Sequence, residues 1–281
     1  MPAFQLTYSK SKWSSDETDY PIYHFTSVEK DVNIKNSKSL RFTKNNYSND
    51  DFDGRLFDNL NLACDEIKNE LLPSEIALWD WFSGLVLHEI KEKDKFLEPQ
   101  KVFSILNNYS MFVLSFSLNK TEKLLWYRYA DKCKGVCLEF SRKNLDYWLY
   151  HWLRLGNPKY LGAFSAKVIY RNPEKLEILK GIIRNSYYEY IRIAETDGNK
   201  ASEVLADVTQ ELYICAFFFK KEKWEAEEEF RIALLHHSNH CAPPEKNAKG
   251  IPYIEIPFLS PSGDDFFSRM DLKNTFRYKD G

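Results

Sequence analysis

At 281 residues and 43% hydrophobic content the chain can bury a large core, and 39 lysines and arginines against 41 acids leave no global basic field to hold nucleic acid, although a local basic patch stays open. The stretch from Met1 to Tyr20 lacks the apolar core of a signal peptide. No apolar run approaches the roughly 20 residues that cross a bilayer, so the reading is a cytoplasmic chain without a membrane partner. Five cysteines are an odd number in a chain too long to need staples, which points to reduced thiols, and the 16% aromatic content is first of all packing material.

The predicted elements interleave. Pro21–Thr26 reads as a strand, followed by a short polar turn of helix and a second strand at Ser39–Thr43. Leu56, Leu60, Ala63, Ile67 and Leu71 recur at helical spacing, and after Pro73 so do Ile76, Trp79, Phe82, Val86 and Ile90, which makes a helical hairpin. Strands are expected at Met111–Ser117, Gly135–Phe140 and Lys167–Tyr170. Two helices follow, one opened by Pro173 with Leu176, Leu179, Ile183, Tyr187 and Ile191 on one stripe, the next carrying Val204, Val208, Leu212 and Cys215. Residues 227–235 alternate, with Glu227, Glu229, Arg231 and Ala233 on one face, and read as a half-buried strand with a charged face. A last strand at Tyr253–Ile256 is confined by Pro257 to a sheet edge or end.

Five short blocks recur in a familiar order: Tyr23-His-Phe-Thr-Ser27, Leu40-Arg-Phe-Thr43, Asn49-Asp-Asp-Phe-Asp53, Leu125-Trp-Tyr-Arg-Tyr-Ala-Asp131 with Gly135-Val-Cys-Leu-Glu-Phe140, and Trp224-Glu-Ala-Glu-Glu-Glu-Phe-Arg231. Together they resemble the bacterial family of domain of unknown function 2971 from about Tyr23 to Leu235, with Asp51, Asp53 and Ala226 departing from its usual proline, glutamate and tyrosine. That family carries no established reaction.

A three-part pattern bears on chemistry: Tyr23, His24 and Thr26 on an early strand, Ser115 and Ser117 on a central one, Glu227 and Glu229 on a late one. Its order resembles the ADP-ribosyltransferase superfamily, and the resemblance implies NAD as cofactor. It also implies His24 on the first strand as an NAD ligand, Ser115 and Ser117 shaping the nicotinamide pocket, and Glu229 on the nicotinamide ribose. A carboxylate hydrogen-bonded to that ribose can stabilise the oxocarbenium charge built as the glycosidic bond breaks. Glu227, roughly 7 Å along the strand on the same face, is positioned to orient an acceptor nucleophile. Arg231, one step further, meets a phosphate or neutralises both acids, and Tyr129 is placed to stack on nicotinamide. The bland alternative is a solvated strand face laced by a Glu–Arg pair. Tyr147–Trp152 with Arg154 reads as packing before base stacking.

No metal is expected. The Asn49–Asp53 loop offers oxygen ligands but lacks EF-hand spacing, and its role stays open. His236, His237, His240 and Cys241 read as a flexible polar loop, and Cys133 and Cys137 miss the Cys-x-x-Cys spacing. There is no P-loop, nucleophile elbow or dinucleotide glycine pattern.

The expectation is one α+β domain over residues 1–281, with a helical insertion at about 55–107. Its central β-sheet is split and ADP-ribosyltransferase-like, with the helical hairpin and two further helices. Function is expected to be that of an NAD-using effector of phage defence or a toxin system, acting on a protein or nucleic-acid acceptor. Two alternatives stand beside it: a non-catalytic ligand-sensing or protein-interaction module, and a metal-dependent nuclease or phosphodiesterase. His24, Ser115 and Glu229 in one cleft favour the enzyme, their separation favours the module, and a joint Asp51–Glu227 site favours metal.

Overall fold

A computed structural model describes residues 19–44, 56–94, 109–154, 159–194, 196, 198–258 and 275–278. The chain divides into two compact units, Met1–Asn49 with Phe103–Val168 and Trp224–Gly281, and Asp50–Val102 with Ile169–Lys223. The Asn49–Asp53 loop, and with it Asp51, lies outside the described residues. No helix among the described residues is long and apolar enough to cross a membrane.

The first unit is built on an antiparallel sheet of strands β1 (Pro21–Thr26), β2 (Ser39–Lys44), β3 (Tyr109–Ser117), β4 (Val136–Ser141), β5 (Gly162–Lys167), β6 (Glu229–His237), β7 (Glu245–Lys246), β8 (Pro252–Pro257) and β9 (Thr275–Arg277). The order runs β7-β8-β2-β3-β1-β4-β9, and β6 pairs with β3 and β5. Because β6 pairs with β3 along its whole length, from Tyr109 opposite His237 to Ser117 opposite Glu229, it takes one edge of β3 entirely. The other edge is shared: β2 pairs at Phe112 and Val113, β1 at Ser117. The mixed α+β class expected from the sequence is therefore present, with an open antiparallel sheet.

Pleating sends alternate side chains to opposite faces. One face presents Ile22, Phe112, Leu114, Phe116, Leu138, Phe230, Ile232 and Leu234 to the main core. Helix α5 (Arg142–Arg154) adds Leu145, Trp148 and Leu149 to it. Both Trp148 and Trp152 donate their indole N–H to the Pro257 carbonyl, at 2.9 Å each, so this aromatic stretch is an anchor for the end of β8. On the other face Tyr23, Phe25 and Cys137 pack with Leu125 and Trp126 of the short helix α4 (Lys123–Tyr129). Trp126 is buried, stands edge-on to Phe25 and donates to the Lys120 carbonyl at 2.7 Å. Gly135, which ends the turn after α4, is required by close approach: a Cβ there would lie 2.2 Å from the Thr26 carbonyl oxygen and 2.8 Å from the Ala130 carbonyl carbon. The polar turn expected after β1 is a ten-residue helix, α1 (Val28–Ser37), whose N-cap Ser27 accepts from the Lys30 N–H.

Three sequence expectations change here. The strand drawn at residues 227–235 begins at Glu229 and ends at His237, and all nine of its residues are buried. It sits between β3 and β5, so its charged side chains are interior rather than a solvated face. His236 and His237 accordingly belong to a buried strand end and not to a flexible loop; the rings of His237 and His240 lie 4.5 Å apart. The strand expected at Lys167–Tyr170 instead occupies Gly162–Lys167, leaving only an isolated bridge between Ile169 and Phe219.

The second unit holds α2 (Leu56–Lys68), α3 (Ile76–Asp94), α6 (Asn172–Ala194) and α7 (Gly198–Ala216), the first two forming the expected hairpin. Its interior is aromatic: Trp79 stands edge-on to Tyr187 at 4.9 Å, and Phe82 contacts Tyr187 and Tyr190. All five cysteines are free thiols. Burial pushes Cys64 and Cys137 up to about 12, so both stay protonated near neutrality.

Candidate functional site

Strand register brings sequence-distant residues into rows. Glu139 of β4 pairs with Tyr23 of β1, Tyr23 with Ser117 of β3, and Ser117 with Glu229 of β6. Paired residues share a face, so this row crosses four strands on the face opposite the main core, with Tyr23 and Glu229 roughly 10 Å apart across two strand spacings. The next row sets Ser115 beside Arg231, and Arg231 beside Ala166 of β5.

Within this patch the candidate acids are withdrawn from solvent. Glu229 and Arg231 are 4% and 1% exposed and form a bidentate pair, Nε donating to Oε1 at 2.8 Å and Nη2 to Oε2 at 2.9 Å. Their i, i+2 spacing on one strand face makes the fork geometry available. Glu227 does not share that strand. It closes a 3-10 turn, Glu222–Glu227, and Glu228 follows at φ 41°, a left-handed residue that breaks the period-two alternation. Glu227 is buried all the same, accepts from the Tyr129 hydroxyl at 3.0 Å and lies 3.8 Å from Arg128 Nη1. Arg128 in turn stacks 4.3 Å over Trp224.

Ser117 is a clamp. Its hydroxyl donates to the Glu227 carbonyl at 2.8 Å and accepts from the Asn119 N–H at 2.9 Å, while Asn119 Nδ2 donates to Glu228 and the Leu118 N–H to the Glu228 carbonyl. These bonds sew the 3-10 turn to the end of β3. Ser115, by contrast, is exposed.

His24 lies across the sheet from that patch. On β1 it alternates with Tyr23, pairs with Leu138 and sits 5.7 Å from the Phe116 ring, all on the core face. Its Nδ1 donates to the Ser115 carbonyl at 3.1 Å, where β3 changes partner between β2 and β1. Burial pushes its pKa down, the Ser115 carbonyl opposes that, and Lys30 adds to it, so the neutral ring is favoured. Thr26, on the same face as His24, is buried opposite Val136. Tyr23 is buried, and its hydroxyl is pushed up by burial and by neighbouring Glu139. The structure thus gathers Tyr23, Ser115, Ser117, Glu229 and Arg231 on one face, places Glu227 and Tyr129 at its border, and puts His24 and Thr26 behind it.

Three contributors escaped the sequence reading, in which Arg128, Glu139 and Trp224 were only letters of a motif; no spacing rule announces a cation stacked on an indole from a segment about a hundred residues away. No group of three or more His, Cys, Asp or Glu residues able to hold a metal ion occurs among the described residues.

No curated protein matches the chain, and no solved structure does. Residues 125–232 match the model of the family described as "Protein of unknown function (DUF2971)". This stretch, which carries Trp126, Tyr129, Trp224, Glu229 and Arg231, is similar to that family, the one the order of motifs resembles.

Proposed function

We propose that the chain is a non-catalytic ligand-sensing or protein-interaction module in which Trp224–Arg231 serves as an ion-pair scaffold. The observation that carries this reading is the Glu229–Arg231 pair: both carboxylate oxygens are engaged by one guanidinium at 4% and 1% exposure. A carboxylate that stabilises a developing oxocarbenium has to reach the ribose hydroxyl, and breaking a buried pair to do so costs several kcal/mol. The position of His24 on the opposite face from Ser115 and Glu229 supports the same reading.

A second reading, an NAD-using ADP-ribosyltransferase-like effector of phage defence or a toxin system, is favoured by one observation, the in-register row of Tyr23, Ser117 and Glu229. Isothermal calorimetry with NAD, and labelled NAD incubated with the protein in cell extract, separate the two. The module reading expects no binding heat and no transferred label. Label transfer by the parent that disappears in a Glu229→Gln variant with unchanged circular dichroism overturns it.

A further inference from the structure

In a chain whose acids outnumber its bases by two, residues 120–134 reverse the balance: Lys120, Lys123, Arg128, Lys132 and Lys134 stand against Glu122 and Asp131. Glu122 is engaged as the N-cap of α4, accepting from the Leu124 N–H at 2.9 Å. Arg128 is held by Glu227 and Trp224, and Lys120 lies over the rings of Tyr23 and Phe276. The other three lysines are different. Lys123, Lys132 and Lys134 are exposed, and among the described residues none is paired with a carboxylate.

Between them stands Tyr127, 57% exposed and with no ring or hydroxyl partner among the described residues. Lys123 is one helical turn before it, on the same side of α4, and the Lys132 N–H donates to the Tyr127 carbonyl at 3.1 Å, which seats Lys132 at the helix end. The lysine-bearing turn is held in a costly conformation. Asp131, Lys132 and Cys133 are three successive non-glycine residues at φ 46°, 53° and 70°, and the turn closes through the Gly135 N–H on the Ala130 carbonyl at 2.7 Å and the packing of Gly135 against Thr26.

We propose that this ridge, Lys123, Tyr127, Lys132 and Lys134, binds single-stranded nucleic acid, the lysines meeting phosphates and the Tyr127 ring stacking on a base. An unpartnered aromatic face among unpaired cations matches the alternation of base and phosphate along a single strand. An acidic peptide would use the lysines and leave the ring without a partner. A membrane surface would be met by exposed apolar side chains, whereas here Leu124 is half-buried and Leu125 buried. The inference rests on residues outside the Glu229–Arg231 pair, so its failure leaves the catalytic question where it stood.

The test is fluorescence anisotropy of the full chain with a labelled oligothymidylate across a salt series. Three phosphate contacts on a single strand predict a slope of log K against log salt of about −2. Replacing Lys123, Lys132 and Lys134 together with alanine flattens that slope and lowers affinity at least about tenfold. Tyr127→Ala lowers affinity on the order of tenfold and leaves the slope unchanged, because stacking releases no counterions. The sites are exposed, and circular dichroism checks that each variant is folded. No binding at about 50 mM salt, equal affinity in all variants, or binding to phosphatidylserine vesicles without binding to the oligonucleotide each overturns the proposal.

Discussion

In the helical unit Lys180 gathers Glu66, Glu70 and Glu177 at 3.0, 3.5 and 3.3 Å, and Arg184 reaches Glu70 as well, yet the three acids are 40%, 52% and 66% exposed. In the sheet unit the Glu229–Arg231 pair has almost no exposure. The first network has more partners and less at stake, because water competes for every carboxylate in it and salt screens what remains. In the second, two charges are held in the interior against each other, where water and salt do little to weaken their attraction. Counting ion pairs would rank the two regions in the wrong order.

The sharpest way to break this contrast is to remove one charge from each region. Arg231→Leu takes from a buried carboxylate the guanidinium that engages both of its oxygens and is expected to cost about 3–5 kcal/mol in urea unfolding. Adding Glu229→Met to the same chain should recover much of the loss, since an apolar pair of similar volume avoids the desolvation of two ions. A single Arg231→Leu variant within about 1 kcal/mol of the parent would mean that the pair is solvated and that the contrast is false.

Ser117→Ala is the intermediate case. It removes a buried hydroxyl that serves the Glu227 carbonyl and the Asn119 N–H, and about 1–3 kcal/mol is expected from leaving those groups unsatisfied. If Ser117 instead served mainly to shape a ligand pocket, alanine would leave the unfolding midpoint unchanged.

Lys180→Met should do least, under about 1 kcal/mol, and the loss should shrink further as salt is added. A salt-insensitive loss above that size would place the helical network in the same class as the buried pair.

Much of the scaffold was legible because it depends on periodicity. Leu60, Ala63 and Ile67 on α2, and Phe112, Leu114 and Phe116 on β3, follow the 3.6 and 2.0 repeats that burial imposes, and these elements fall where those repeats place them. The site was less legible. The alternation that made Glu227 and Glu229 look like neighbours on one strand was read over residues 227–235, while the backbone is a 3-10 turn up to Glu227 and becomes extended only after Glu228, a non-glycine residue with no side-chain signature for positive φ. Charge also misled, since a run of glutamates ordinarily marks a solvated face. What keeps Glu229 inside is Arg231 and the strands on both sides, and strand order is a long-range fact that local pattern does not contain. The Lys123–Lys134 ridge lay in plain view as composition, but only the unpaired state of its lysines distinguishes it from ordinary surface.

The pairing of β3 with β6 has a consequence for how the chain comes into being. Ser117 and Glu227, joined at the end of that ladder, are 110 residues apart in sequence, and the chain between them builds α4, β4, α5, β5 and two long helices first. During synthesis β3 therefore emerges well before the strand that will occupy one whole edge of it, with the ladder positions of Phe112, Leu114 and Phe116 still unsatisfied. Such non-local closure is slow, and an apolar strand waiting for its partner is a template for association with other nascent chains. The stretch of greatest hazard for this protein is thus the interval on the ribosome before residue 237 has cleared the exit, and its demand on folding assistance is set by that interval rather than by the final stability of the sheet.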